Sequence, residues 1–304
     1  MAIKRTSLKP DIEHGNFTGI NNIDSAITIG PRALRSCTDY DNRQDGILVP
    51  RPGQTSIVNQ ASHSIWSNKE NTLCLYRKGA DLVRLNTDET STTISSGFVG
   101  SRMIFRDGDA GQVFLTDGTA IGMVTGGSVY QDMRFILPVD HFKNIAPSGI
   151  SIEFWHGRLF VIIGNKVYFS DPYLPFQFDM QHNVISFAGA VTLFRGMNGG
   201  IFVADGNIRF MAGGDPVAGM PMTVRADYDA VPGTDIIIPG DIVGKQPTAG
   251  MTLWFLTDNG VCIGNDDGGF RNVTDKKFNR TFSNGSALYR RDSNINRYIT
   301  VGKG

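Results

Sequence analysis

Two stretches decide the fold: ISIEFWHGRLFVIIGNKVYFSDP, residues 150–172, and VTLFRGMNGGIFVADGNIRFMAGGDP, residues 191–216. In the first, Ile150 to Trp155, Arg158 to Ile163 and Lys166 to Asp171 are rich in β-branched and aromatic residues. They are separated by His156-Gly157 and Gly164-Asn165, two-residue breaks that suit hairpin turns and disfavour a helix. Along Arg158 to Ile163 both parities are apolar, Leu159, Val161 and Ile163 on one and Phe160 and Ile162 on the other. Such a strand needs cover on both faces, which a hairpin with one wet face cannot give.

The same strand–turn–strand unit recurs along the chain as NTLCLYRKGADLVRL, GQVFLTDGTAIGMV, RLFVIIGNKVYFS, GIFVADGNIRFMA and MTLWFLTDNGVCIG. The break glycines Gly79, Gly118, Gly164, Gly206 and Gly260 are 39, 46, 42 and 54 residues apart. A glycine-free version, ALYRRDSNINRYITV, follows around Asp292 to Asn294. A period near the ~40 to 50 residues of a propeller blade is the mark of radial repetition, and blades packed face to face supply the two-sided burial that a sandwich would not. The expected fold is an all-β propeller of about six blades in residues 46–304, preceded by an arm in residues 1–45. The last unit holds two strands, so strands from Ile47–Val49, Thr55–Asn59 and Ser64–Trp66 are expected to pair with residues 284–301 and close the ring. In the arm, Gly30-Pro31 followed by Ala33 and Leu34 suggests one short helix. The insert Pro232 to Gly250, with its apolar run Ile236 to Ile238, reads as an outer strand pair or a contact loop.

Composition agrees with a turn-dense β protein: 40% hydrophobic, 19% charged, 36 glycines and 13 prolines in 304 residues. Lys+Arg and Asp+Glu are equal at 29 each, and the basic residues form no stripe, which argues against a dedicated binder of nucleic acid or anionic membrane. Cys37, Cys74 and Cys262 match neither a disulfide framework nor a zinc site, so buried reduced thiols in a protein made and kept in a reducing cytoplasm are expected. No apolar leader and no run of the ~18 apolar residues that span a bilayer is present.

Chemistry is sparsely signalled. Asp39, Asp41 and Asp45 begin like a calcium loop, but Pro50 stands where the closing glutamate belongs; Asp107 to Gly111 fails in the same way at Gly118. Glu153 and His156 are three apart on an expected strand and its turn, which does not bring an acid and a base together. The five histidines form no metal-spaced pair, and no nucleophile elbow, phosphate loop, dinucleotide glycine motif or Asp-box occurs. No catalytic residue, metal ligand or cofactor site is assigned, and the expectation is a protein that is not an enzyme. Trp66, Trp155 and Trp254 read as packing between blades before they read as a sugar or base platform.

Residues Phe17 to Val58, FTGINNIDSAITIGPRALRSCTDYDNRQDGILVPRPGQTSIV, resemble the opening of bacteriophage virion proteins of the tail hub and nozzle type. That group commonly begins with G-[IL]-N-N, a short helix, an acidic turn and an R-P-G stop. Here Gly19, Ile20, Asn21 and Asn22 match the first, Gly30 to Ser36 the second, Asp39 to Asp45 the third, and Arg51, Pro52 and Gly53 the last. His156 to Pro172 and Gly200 to Pro216 are similar to propeller strands of the same group, while Cys37 and Thr38 depart from its small residues and Asn. The resemblance implies a structural virion protein of a phage tail, a hub, nozzle or head-to-tail connector. It would be made in the bacterial host cytoplasm and assembled as a ring of six copies, with portal, adaptor or other tail proteins as partners and DNA passing through without specific binding. It carries over no catalytic residue and no cofactor. It puts assembly contacts at Gly19, Ile20, Asn21, Asn22, Ile27, Ile29, Leu34 and Arg51. The alternatives are a receptor- or glycan-binding propeller of the tail and, behind it, a propeller hydrolase.

Overall fold

The computed structural model describes residues 19–20, 22–25, 28–29, 33–34, 36, 40–42, 48–50, 61–68, 70–100, 102–240, 250–274, 280–292 and 295–303. Near the N-terminus β1 (Gly19–Ile20) runs parallel to β2 (Ala33–Leu34), and β3 (Tyr40–Asn42) pairs antiparallel with β4 (Leu48–Pro50). The rest is a series of antiparallel meanders. The first sheet holds β5 (Ser62–Ser67), β6 (Cys74–Lys78), β7 (Asp81–Leu85) and β8 (Ser91–Ser95), and the second β9 (Ile104–Asp107), β10 (Val113–Thr116), β11 (Ile121–Thr125) and β12 (Val129–Asp132). The third holds β13 (Ser151–Trp155), β14 (Arg158–Ile163) and β15 (Lys166–Asp171), whose outer edge is shared by β16 (Leu174–Phe178) and β17 (Val184–Ser186). The fourth runs through β18 (Leu193–Met197), β19 (Gly200–Ala204), β20 (Ile208–Ala212) and β21 (Met222–Ala226). The fifth has β22 (Ile236–Pro239), β23 (Met251–Thr257), β24 (Gly260–Asn265) and β25 (Phe270–Asn272), and the hairpin of β26 (Asn284–Asp292) and β27 (Ile295–Lys303) follows.

Each of the five glycine-containing units in the sequence is the central hairpin of one sheet, while the glycine-free sixth is the two-stranded sheet β26–β27. The five break glycines all take positive φ, from 59° at Gly79 to 118° at Gly260, which is why the turns select glycine. Alternation along the central strands explains their doubly apolar character. Leu159 and Val161 of β14 face Phe114, Ile121 and Ile152, between the second and third sheets. Phe160 and Ile162 of the same strand face Phe194, Ile201 and Met211, between the third and fourth. In β19 the same split sends Ile201 and Val203 to that seam and Phe202 and Ala204 to the next, against Leu253 and Phe255. The core is therefore a set of seams between neighbouring sheets, the packing of a β-propeller. Trp155 is buried in one of these seams, and Trp66 and Trp254 pack half-buried against others, so all three serve as packing residues.

Four expectations need correction. Ala33 and Leu34 form a strand and not a helix, because pairing with Gly19 and Ile20 overrides the local helix signal. Among the described residues Ser62–Ser67 does not join residues 284–301: it opens the first sheet by pairing with Cys74–Lys78. Leu48–Pro50 pairs with Tyr40–Asn42, so this hairpin straddles the expected arm boundary at residue 45. The piece Thr55–Asn59 lies outside the described residues, and among these β26 and β27 pair with each other alone. Finally, Ile236–Pro239 is neither an outer strand nor a loop. It is the first strand of the fifth sheet, with Ile237 opposite Leu253. Cys74 is a half-buried thiol and Cys262 a buried one, its Sγ 3.7 Å from Thr257 Oγ1 and 3.8 Å from Tyr228 Oη; Cys37 lies outside the described residues.

Candidate functional site: an ion-pair square on the axis

Each sheet from the second to the fourth begins with an inner strand that carries one charged residue opposite a fully buried phenylalanine. Arg106 of β9 pairs with Phe114, Glu153 of β13 with Phe160, and Arg195 of β18 with Phe202. Cross-strand neighbours share a face, so each charge projects from the innermost edge of the face whose outer part is the apolar seam. Asp235 immediately precedes β22 and supplies the fifth sheet's member.

The four close a circuit. Arg106 Nε donates to Glu153 Oε2 at 2.8 Å and its Nη2 to Asp235 Oδ2 at 3.0 Å. Arg195 Nη1 donates to the same Glu153 oxygen at 2.8 Å, and its Nε stands 3.2 Å from the same Asp235 oxygen. That last contact is an ion pair without hydrogen-bond alignment. Sheets stacked in a row at ~10 Å intervals would hold the inner strands of the second and fifth roughly 30 Å apart. The Arg106–Asp235 contact shows that the sheets instead wrap around an axis, with the square on it.

Burial alone would push the Asp235 carboxyl up; the guanidiniums of Arg106, Arg195 and Arg102 outweigh it and hold the group below the ordinary carboxylate range. For Arg195 burial lowers and the two carboxylates raise, with a net rise. Arg102 is lowered by burial, only partly offset by Asp235, and its Nη1 donates to Pro232 O at 3.1 Å. Gly233 belongs here as well: its φ of 78° favours glycine, and a Cβ there would displace the Arg102 guanidinium. Chemically the square pairs two guanidiniums with two carboxylates. Replacing a whole buried network with apolar side chains can be neutral, whereas removing one member is costly, so its contribution is to fix how four sheets meet.

Sequence reasoning named Glu153 but missed its partners. The available signal was a charge inside an inner strand seven or eight residues before the phenylalanine, alone in its strand at Glu153/Phe160 and Arg195/Phe202 and beside Asp107 at Arg106/Phe114. His156 is a turn residue at φ 47° that stacks on Trp155, 3.9 Å between centroids. Of the expected assembly contacts, Gly19 and Ile20 lie in β1, directly paired with Ala33 and Leu34. Asn22, Ile29 and Leu34 are half-buried. Asn21, Ile27 and Arg51 lie outside the described residues. Among the described residues no cluster of three or more His, Cys, Asp or Glu is placed to hold a metal, and no helix is long and apolar enough to cross a membrane.

No family model matches the chain, and neither does any curated protein. Among solved structures it is similar to a gluconolactonase from Xanthomonas campestris, with 13% identity and a TM-score of 0.50 over 81% of this chain and 85% of that one. It also resembles YCF48 bound to a D1 peptide, at 13% identity and a TM-score of 0.43 over 72% and 68% of the two chains. A third is BBS1N in complex with ARL6DN, at 10% identity and a TM-score of 0.48 over 76% and 72%. At 13% identity the likeness to the gluconolactonase is one of fold alone, and it agrees with the β-propeller drawn from the strand pairing.

Proposed function

We propose that this chain is a binding and assembly propeller, not a hydrolase. The observation that carries the reading is the ion-pair square: the carboxylates of Glu153 and Asp235, which a propeller enzyme would aim at substrate from the axis, are spent on Arg106 and Arg195. The setting is a phage tail, as a hub, nozzle or head-to-tail connector component standing in a ring of six copies against portal or adaptor proteins. That setting is supported by the resemblance over Phe17 to Val58 and the two central blades. Balanced charge supports DNA passing such a ring without being gripped, since a phosphate-binding channel is rich in Lys and Arg. Locating the chain by electron microscopy of assembled phage particles tests the setting; finding it outside the tail overturns it. Hydrolysis of lactone, ester or glycan substrates that disappears in Glu153→Gln at retained fold overturns the non-catalytic reading.

A second reading, a receptor- or glycan-binding propeller, is favoured by Tyr173. The residue is 77% exposed on a backbone at φ 59° with its ring beside Gly157, near the His156–Gly214 hydrogen bond and the Arg158–Asp215 pair. An exposed ring among polar groups suits a sugar face. Glycan binding lost in Tyr173→Ala would establish it in place of the tail-structural role.

A further inference from the structure

The connection from β12 to β13, residues 133–150, exposes four large apolar side chains within eight residues: Phe135 at 79%, Leu137 at 79%, Val139 at 74% and Phe142 at 95%. The segment is nonetheless tied down along its length. Asp132 accepts from Arg134 N, the buried Gln177 accepts from both Val139 N and Asp140 N, and Asn144 bridges Phe178 by two backbone hydrogen bonds. Lys143 Nζ reaches Asp179 at 3.1 Å, and Thr116 Oγ1 donates to Gly149 O. A fixed segment that keeps its apolar side chains in water forgoes the stabilisation that their burial would bring. Such a patch marks an interaction surface.

The order of residues names the occupant. Arg134-Phe135-Ile136-Leu137-Pro138-Val139-Asp140 is symmetric in character about Leu137: a cation at one end, an anion at the other, and apolar exposed positions at 135, 137 and 139. Ile136, at the end of the short turn of 3-10 helix, has φ −87° and ψ 113°, so the chain is extended there and exposes alternate side chains. Around a two-fold axis through Leu137, position 135 meets 139, Leu137 meets its own copy, and Arg134, whose guanidinium is also held by Asp132 and Thr119 O of its own chain, lies opposite Asp140 at both ends. That self-complementarity is the requirement of an isologous contact. Two phenylalanines with Leu137 and Val139 offer roughly 600 Å² per copy, near the ~800 Å² per partner of a standard interface once a polar rim is added. We infer that residues 134–142 form a two-fold interface with a second copy of this chain. The contact is independent of the ring reading, since a two-fold closes at two copies where a ring needs a head-to-tail surface.

Sedimentation of the full chain at micromolar concentration tests it. The expected result is a monomer–dimer equilibrium whose dissociation constant rises about 100-fold in Leu137→Glu, because two like charges are then brought together on the axis. Leu137 is exposed, so this variant keeps the fold, which its melting curve verifies. Arg134→Glu and Asp140→Lys should each weaken the dimer, and the double variant should restore it. A wild-type monomer throughout, a dimer or ring indifferent to Leu137→Glu, or single charge reversals that the double variant does not rescue would each overturn the inference. So would a monomer that uses this face on a different protein.

Discussion

The seam between the third and fourth sheets and the seam between the fifth sheet and the β26–β27 hairpin are built from the same kind of strands, yet they differ in depth. The first buries Trp155, Phe160, Phe169, Phe194, Ile201 and Met211, with Phe160 and Phe194 at 5.3 Å between ring centroids, and Trp155 Nε1 donating across it to Met197 O. The second buries Ile238 and Ile263, with Ile236, Trp254 and Tyr289 only half-covered. The cause lies in the strands. β19 is buried at every position, whereas β26 alternates exposed and half-buried residues from Asn284 to Leu288. A strand covered on both faces makes two seams; one covered on a single face makes one and leaves Leu288 and Val301 toward solvent.

The largest expected effect contrasts the two. Phe160→Ala removes a fully buried ring from the deep seam and should cost about 3 to 5 kcal/mol in denaturant unfolding. Ile263→Ala in the shallow seam should cost about 2 kcal/mol, since its half-exposed neighbours can collapse into the space. Equal losses would show that the hairpin is held as firmly as the inner blades.

Next comes the square, which ties the deep side of the molecule to the fifth sheet. Glu153→Gln leaves Arg106 and Arg195 to share Asp235 alone and should cost about 3 kcal/mol. Its partner predicts a pH effect. Because the Asp235 carboxyl is held below its unfolded value, its stabilisation is fully present above the usual ~3.9 and is lost as pH falls from there through the folded value. Asp235→Asn should therefore destabilise at neutral pH and flatten the acid limb below about pH 4. An unchanged acid limb in thermal melts would show that the square carries none of the acid sensitivity.

How far the sequence carried follows from where each feature's cause is stored. The central hairpins were legible because β-branched runs and positive-φ glycines are local signals, repeated at Gly79, Gly118, Gly164, Gly206 and Gly260. The strand at Ala33–Leu34 was not, since two residues take their conformation from the Gly19–Ile20 partner rather than from their own propensity. That the charges of the square meet was not legible, for the same reason at longer range. Its charges come from four sheets, and only the register of each inner strand reveals that they share the axis. Ser62–Ser67 misled because an edge-like piece after prolines fits the end of one sheet as well as the start of another, and pairing with β6 decides it.

A smaller effect is expected from Gly189, in the connection into the fourth sheet. A Cβ there would lie 2.4 Å from Asp205 O, the backbone at the end of β19. The preceding Phe187 N donates to Asn165 O of the third sheet, so this connection spans the turns of two neighbouring blades across the deep seam. Gly189→Ala should cost about 1 to 3 kcal/mol, as overpacking against backbone does. A neutral outcome in equilibrium unfolding would mean that the connection yields freely and contributes little to the rigidity of that seam.

The smallest effect sharpens the comparison from the shallow side. The Tyr298 ring packs tilted against Trp254, 5.7 Å between centroids, and its hydroxyl donates to Thr234 O at 2.7 Å. Thr234 is itself a junction: its Oγ1 donates to Val231 O and accepts from Leu256 N. Burial raises the Tyr298 phenol well above its ordinary value, with hydrogen bonds opposing, so it remains a neutral donor throughout the range in which the protein is handled. Tyr298→Phe keeps the ring contact and removes one hydrogen bond, leaving the Thr234 carbonyl without this partner, at an expected cost of about 1 kcal/mol. If the shallow seam depends on directional bonds where the deep seam depends on packing, this change should speed hydrogen exchange in β26 and β27 while exchange in β19 stays as in the wild type. Uniform acceleration across both regions would mean that the hairpin opens only with the whole molecule, and that the two seams, unlike in depth, belong to one cooperative unit.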